Sequence, residues 1–407
     1  VLKKIPVSQL AMGMFVDGLE GPWLNHPFWR TKFLIKDEAT LRRLKESGVA
    51  ECRIDLARGN DVASVTPGAA AATAGTAAEE AAAASAAAEQ GAPFTEELQR
   101  AAELRNRSGA AMRHMFSELR LGNAIDPRVC APLVEDVVES INRNADALIS
   151  LVRLKSADEY TYLHSVAVCA LMVSLGKRLG FDADQCREAG MAGMLHDMGK
   201  AAVPLEVLNK PGRLTPEEFE IVKRHPMQGY EMLRSAGGVS EGVLDVCRHH
   251  HERIDGKGYP DGLQGEQISV LARMGAVCDV YDAVTSNRPY KAGWDPAYAI
   301  AQMASWKGHF DDKVYQAFVR SLGIYPTGSL VRMTSGILGV VLEQNAEKLT
   351  KPKVKLFFST NAGLPIKPRV VDLAAPLCRE KIQARESPEN WQFNYLNELW
   401  ASDAALT

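Results

Sequence analysis

Apolar positions repeat along this chain with two periods, and the place where the period changes divides it. From Thr95 onward the spacing is helical: Leu98, Ala102, Leu104, Met112, Met115, Phe116 and Leu119 trace one stripe, and Val134, Val137, Val138, Ile141, Ala145, Leu148 and Leu151 a second. Steps of three and four residues put such positions on one face of an α-helix. The same pattern predicts further helices at about 158–180, 184–198, 216–234, 240–251, 269–286, 295–306 and 312–322. Before this region the apolar runs are short (Met12–Val16, Phe33–Ile35, Glu51–Ile54) and flank an amphipathic helix from about Asp37 to Ser47, ended by Gly48. They predict a small α+β domain over 1–65. Trp23, Phe28, Trp29 and Phe33 are expected in its core, since buried aromatics dominate small cores; a binding surface is the alternative. Residues 66–93 form an alanine-rich linker. After Pro326 the runs Leu330–Met333, Ile337–Leu342 and Val354–Phe358, punctuated by Gly328, Gly336 and Gly339, predict a short antiparallel β-unit within an extension over 326–407. The tail from 372 carries no pattern. The expected fold class is mainly α, with a helical region at 94–325 between the small α+β domain and the β-rich extension.

A chain of 407 residues exceeds what one hydrophobic core usually supports, so two or three domains are expected. A net charge of −3 gives no general attraction to a nucleic-acid backbone; DNA and RNA are not expected partners, and any phosphate binding must come from a local site. Cys52, Cys130, Cys169, Cys186, Cys247, Cys278 and Cys378 are scattered without a CxxC pair, which fits free thiols in a reducing compartment. Lys3 and Lys4 are not followed by an apolar stretch, and the alanine run over 68–92 is interrupted by Gly75, Glu79, Glu80 and Ser85. Neither reads as a signal peptide or membrane span, so a cytoplasmic location is expected.

Six of the nine histidines are His164, His196, His225, His249, His250 and His251, with Asp197 directly after His196. A lone histidine on an apolar helix is usually a packed or surface residue. Several together, at helix ends in apolar surroundings, point to a shared ligand. His196-Asp197 closes an apolar helix, where an unpaired carboxylate is costly and a cation is its natural neutraliser. His225 precedes Pro226, which favours a helix start. His250-His251 ends a helix before a glycine-rich turn. Asp279 sits beside Val277 and Cys278 in an apolar helix, an unusual place for an acid unless it is ligated. Imidazole and carboxylate without thiolate suit Fe, Mn, Zn, Ni or Co.

These residues carry a family resemblance. His196-Asp197 with Gly199-Lys200 resembles the HDxGK signature of HD phosphohydrolases. His250-His251-Glu252 followed by Asp255-Gly256-Lys257-Gly258-Tyr259-Pro260 resembles the HHExxDGxGYP motif of the HD-GYP branch. Asp279-Val280-Tyr281-Asp282-Ala283 with Thr285-Ser286-Asn287-Arg288-Pro289-Tyr290-Lys291 is similar to its DxxDAxTSxRPYK segment. Residues 1–65 look like a domain of unknown function often found ahead of HD-GYP domains. It is expected to regulate or localise the enzyme, and its input is not legible.

The resemblance implies a helical phosphohydrolase that cuts cyclic di-GMP to linear pGpG, GMP or both. It implies two divalent metals, with Fe or Mn favoured over Zn, Ni or Co. One cation takes His164, His196, Asp197 and Asp279; the other shares Asp197 and takes His225, His250 and His251. Tyr160 stands where some members have the glutamate of a third metal, so two are expected. Such a pair activates water and clamps phosphate oxygens. Asp197 and Lys200 are the expected catalytic residues. Lys200, Tyr259, Arg288 and Lys291 are the expected substrate contacts, because arginine grips phosphate bidentately and lysine as a point charge. Glu252 and Asp282 are expected to orient ligands or Lys200, and His249, outside the motif, to be an exposed neighbour. The GYP loop is implicated in contacts with diguanylate cyclase domains. The helices over 95–154 are expected either to make a homodimer interface or to pack on the catalytic core. The competing readings are a sensor or adaptor that binds cyclic di-GMP, or a diguanylate cyclase partner, without hydrolysis, and a hydrolase for another cyclic dinucleotide or a nucleotide phosphate.

Overall fold

The computed structural model describes residues 2–20, 33–35, 41, 42, 45, 51–55, 94–155, 160–287, 293–345, 347–391, 393 and 395–401. It divides into two units, 1–82 and 83–407.

The first unit is built on an antiparallel sheet of β1 (Leu2–Pro6), β2 (Phe15–Glu20), β3 (Phe33–Leu34) and β4 (Glu51–Asp55), in the order β1-β4-β2-β3. Side chains alternate across a strand, so Cys52 and Ile54 are buried while Arg53 is exposed. They pack with Ile5, Val7, Leu10, Met14, Val16 and Ile35. β1 was not expected, because Lys3 and Lys4 conceal its alternation; it pairs along its length with β4, Leu2 opposite Asp55 and Pro6 opposite Glu51. Trp23, Phe28, Trp29, the Phe33 side chain, most of the 37–47 helix and the 66–93 linker lie outside the described residues.

The second unit is helical up to residue 322. α1 (Phe94–Arg120) and α2 (Ala131–Arg153) lie against α3 (Tyr160–Leu179). Their stripes, including Leu98, Met112, Phe116, Val137, Ile141 and Leu148, are buried in the same core as Val166–Val173 of α3. These helices thus pack on the catalytic core. Buried Glu97 of α1 is satisfied by Ser140 Oγ (2.8 Å) and Arg143 Nε (2.7 Å) of α2. α4 (Ala183–Leu195), α5 (Leu205–Leu208), α6 (Pro216–Val222), α7 (His225–Ala236), α8 (Glu241–His249), α9 (Val270–Thr285), α10 (Pro296–Ser305) and α11 (Asp312–Leu322) follow. Side-chain caps fix several starts: Asp182 for α4, Thr215 for α6, Ser240 for α8 and Ser269 for α9. Each such cap is worth about 1 kcal/mol. The single helix expected over 216–234 is two, α6 and α7, because the chain breaks at Lys223–Arg224 and restarts at His225 with Pro226 in the first turn, where its missing N–H costs nothing.

The C-terminal strands are β5 (Leu330–Met333), β6 (Ile337–Glu343), β7 (Lys353–Ser359), β8 (Leu364–Asp372) and β9 (Ile382–Arg385), in the antiparallel order β8-β7-β6-β5-β9. The last two were not expected. β8 carries Pro365 and Pro368 and is mostly exposed, a composition tolerated at a sheet edge. The sheet is joined to the helices: Arg153 Nη2 donates to Thr327 O (3.1 Å), Arg385 Nη1 to Ala297 O (2.7 Å), and Trp400 enters the helical core. All seven cysteines are free. Among the described residues no helix is long and apolar enough to cross a membrane.

Candidate metal centre

Five segments converge on one buried volume: α3 brings His164, the end of α4 His196 and Asp197, the start of α7 His225, the end of α8 His250 and His251, and the middle of α9 Asp279. Two glycines permit the approach. A Cβ on Gly193 would lie 2.8 Å from the Cys169 backbone, and one on Gly199 only 1.9 Å from His225 O. α4 stops at Leu195, short of the expected 198. Asp197 leaves helical geometry (φ −103, ψ 11) and opens a 3-10 turn over Met198–Ala202, which turns its carboxylate inward.

Asp197 sits between two imidazole sets. Its Oδ2 is 3.3 Å from both His164 Nε2 and His196 Nε2; its Oδ1 is 3.2 Å from His225 Nε2 and 3.7 Å from His250 Nε2. Asp279 Oδ1 is 3.0 Å from His164 Nε2, and Oδ2 is 3.7 Å from His251 Nδ1. His164, His196, Asp197, His225, His250 and Asp279 are all buried, and His251 is partly exposed.

The outer nitrogens set the tautomers. His196 Nδ1 donates to Gly193 O (2.8 Å), His225 Nδ1 to Val222 O (2.7 Å) and His250 Nδ1 to Val246 O (3.0 Å). Each ring then turns an Nε2 lone pair to the centre. The Nε2 atoms of His225 and His250 face each other at 3.3 Å. His196 Nε2 and Asp197 Oδ1 are buried and make no hydrogen bond among the described residues, a costly state for polar atoms. The donor atoms of His164, His196 and Asp279 lie within 4.8 Å of one another, as do those of His225, His250 and His251. The set is all nitrogen and oxygen. These residues therefore have the capacity to hold one or two divalent metal ions.

Electrostatics follow the same division. Burial opposes a charge on His164, but hydrogen bonds to Asp197, Asp279 and Asp282 outweigh it and raise its pKa to about 10. Burial, with the neighbouring His251 and His196, drives His250 well below its ordinary value; burial, with His225, takes His251 down to about 3. Burial also works against ionised Asp197 and Asp279, yet Lys200 with the His196 and His164 imidazoles holds Asp197, and the His164, His251 and His196 imidazoles hold Asp279, well below the usual carboxylate range.

Around the centre, Lys200 Nζ lies 2.5 Å from Asp197 Oδ2. Asp282 does not meet Lys200; its Oδ2 accepts from His164 Nδ1 at 2.6 Å and is ion-paired with buried Lys155. Lys155 was not singled out in the sequence. The only signal was a charged residue just past the apolar stripe of α2. Among the described residues Glu252 makes no hydrogen bond to a candidate ligand side chain: its carboxylate accepts the N–H groups of Asp261 (2.7 Å), Gly262 (2.9 Å) and Leu263 (3.1 Å), clamping the loop after Tyr259. The Tyr259 ring stacks on His251, centroids 4.7 Å apart. His249 is no idle neighbour; Nδ1 reaches Asp245 (2.7 Å) and Nε2 reaches Asp261 (2.9 Å), away from the centre. Arg288, Lys291 and the Tyr160 side chain lie outside the described residues. A cavity of about 410 Å³ opens beside His250 and His251, with Phe219, Lys223, Arg253, Tyr259 and His309 in its walls.

Comparison with known proteins agrees with this geometry. Residues 128–314 match the family model of the HD domain, and residues 2–130 that of a domain of unknown function, DUF3391; the latter runs well beyond residue 65. A cyclic di-GMP phosphodiesterase of Pseudomonas aeruginosa is 52% identical over the whole of this chain and 97% of its own length. The cyclic di-GMP phosphodiesterase response regulator RpfG of Xanthomonas campestris is 43% identical over 42% of this chain and 47% of its own. A 3'3'-cGAMP-specific phosphodiesterase of Vibrio cholerae is 34% identical over 45% of this chain and 42% of its own.

Proposed function

The chain belongs to the HD-domain phosphohydrolases of the HD-GYP type, and we propose that it hydrolyses a phosphodiester bond of cyclic di-GMP. The observation that carries this reading is the Asp197 carboxylate set between two groups of buried imidazoles, beside a cavity with room for a nucleotide. His164, His196, Asp197 and Asp279 would hold one cation, and Asp197, His225, His250 and His251 a second; the donor chemistry suits Fe or Mn, and Tyr160 in place of a carboxylate favours two metals over three. Bound there, such a pair brings the pKa of water to about 7 and offsets charge on phosphate oxygens.

The chain's own residues do the rest. The Lys200 ammonium, at Asp197 in this structure, would meet a phosphate oxygen. Tyr259, stacked on His251, offers an aromatic face to a guanine. Lys223 and Arg253 in the cavity wall, with Arg288 and Lys291 after α9, supply positive charge for the second phosphate. The Gly258-Tyr259-Pro260 loop is the surface we assign to diguanylate cyclase domains, and free thiols fit work in the cytoplasm.

The test is turnover by Fe- or Mn-loaded protein, with products separated by chromatography. Release of pGpG or GMP, abolished by His196→Ala and by Asp197→Ala, is expected. Binding of cyclic di-GMP without turnover under either metal would overturn the hydrolase reading. The 3'3'-cGAMP-specific relative supports a second substrate reading, which faster hydrolysis of 3'3'-cGAMP in direct competition would favour.

A further inference from the structure

A second cavity, also about 410 Å³, opens where α2, α3, α11 and the end of β6 meet. It is remote from the metal centre. Lys177 lies thirteen residues beyond His164 on α3, about 20 Å at 1.5 Å per residue.

Three cations stand in its walls. Lys177 and Arg178 come from the last turn of α3 and Arg320 from that of α11. Lys177 Nζ donates to Asn142 Oδ1 at 2.6 Å. Arg178 and Arg320 are exposed and make no ion pair or hydrogen bond with any described residue. The nearby acid Glu343 is already paired with Lys353 (2.9 Å). Asp146 supplies a carboxylate to the wall, and its Oδ2 accepts the Gln344 N–H at 2.8 Å.

The backbone adds to the positive character. α2 is broken at Asn144, which is extended (φ −163, ψ 102), so residues 145–153 begin a new helix whose first residues, Ala145 and Asp146, line the cavity. The start of a helix carries a partial positive charge and amides without intrahelical acceptors. Ile141 and Leu349 add an apolar wall.

We propose that this cavity is a second ligand site for a small phosphate ester of nucleoside-monophosphate size. Arg178, Arg320 and Lys177 hold the phosphate, Ile141 and Leu349 pack against a ring, and the remaining oxygen of Asp146 accepts a donor from the base or sugar. Guanidinium forks suit a phosphate dianion, and the volume falls within the usual range for small-molecule sites. Cations at helix C-termini also offset the helix dipole; that role alone would leave the cavity without affinity for such a ligand.

The experiment is equilibrium dialysis of labelled GMP against the metal-loaded full chain and its Asp197→Ala variant, which disables the metal centre. GMP binding that persists in Asp197→Ala and weakens at least tenfold on adding Arg178→Ala and Arg320→Ala is expected, with hydrolysis by the otherwise wild-type Arg178→Ala/Arg320→Ala protein unchanged when no GMP is added. Both arginines are exposed, so the fold should survive; a matching thermal midpoint checks this. Displacement of GMP from Asp197→Ala by inorganic phosphate supports the phosphate grip. Displacement by guanosine but not by phosphate overturns it, as does absence of GMP binding in Asp197→Ala or binding indifferent to loss of both arginines.

Discussion

Replacing Lys155 with methionine would expose how the centre is supported from behind. The Lys155 side chain is fully buried, and its partner Asp282 is 3% exposed. Asp282 in turn accepts from His164 Nδ1 at 2.6 Å, so one lysine fixes one imidazole through one carboxylate. Removing a single member of a buried ion pair costs about 3–5 kcal/mol where the other charge is left unpaired; Asp282 keeps His164 and Ser286, so the low end of that range is expected. Loosening the group that orients a ligating histidine typically costs about 10- to 100-fold in metal affinity. Both losses are expected for Lys155→Met, measured by urea unfolding of chelator-treated protein and by metal competition against a chromophoric chelator. The double variant Lys155→Met/Asp282→Asn carries no stranded charge and keeps an acceptor for His164 Nδ1. It should therefore recover about 2–3 kcal/mol relative to the sum of the two single changes. A loss under about 1 kcal/mol in Lys155→Met, or simple additivity in the double variant, would refute this chain of support.

Three other changes test separate parts of the molecule. Glu252→Ala releases three backbone N–H groups of the loop; with the Tyr259 stack worth about 0.5–1.5 kcal/mol, KM should rise about 2- to 10-fold at unchanged metal content, and loss of metal instead would contradict the loop-clamp role. Gly199→Ala places a Cβ 1.9 Å from His225 O; α7 must shift, costing about 1–3 kcal/mol and weakening metal binding, read by unfolding and metal titration. Burial raises Asp146 to about 6 from an ordinary 3.8, against the opposing Gln344 hydrogen bond. An acid whose folded pKa is raised binds more protons folded than unfolded, so stability falls as pH climbs from about 4 to 6. Asp146→Asn should thus stabilise the protein at pH 8 by about 1 kcal/mol, below the full value of the shift because the residue keeps some solvent contact, and have little effect at pH 4.

Local chemistry was legible where it decided structure alone. The stripes of α1 and α2, the starts of α6, α8 and α9 to within a residue, and the bounds of α11 follow from the spacing of apolar positions. The candidate ligand set was legible because an apolar helix rarely tolerates buried imidazoles and acids unless a cation offsets their cost. What escaped depends on distant neighbours. Lys155 reads as surface until Asp282 is seen 127 positions away. Asp282 was expected at Lys200 or a ligand, and only packing of α9 on α3 selects His164. Glu252 was expected to orient a ligand, but three backbone amides of a loop carry no side-chain signature. The break at Asn144 has no Pro or Gly to announce it, and β8, with its prolines and charges, resembles a loop until β7 supplies its partner.

Anomalous diffraction from crystals of the metal-loaded protein bears most directly on the centre. Two peaks are expected on opposite sides of the Asp197 carboxylate, one among His164, His196 and Asp279 and the other among His225, His250 and His251. No peak there under either Fe or Mn, or metal bound only away from Asp197, would contradict the account.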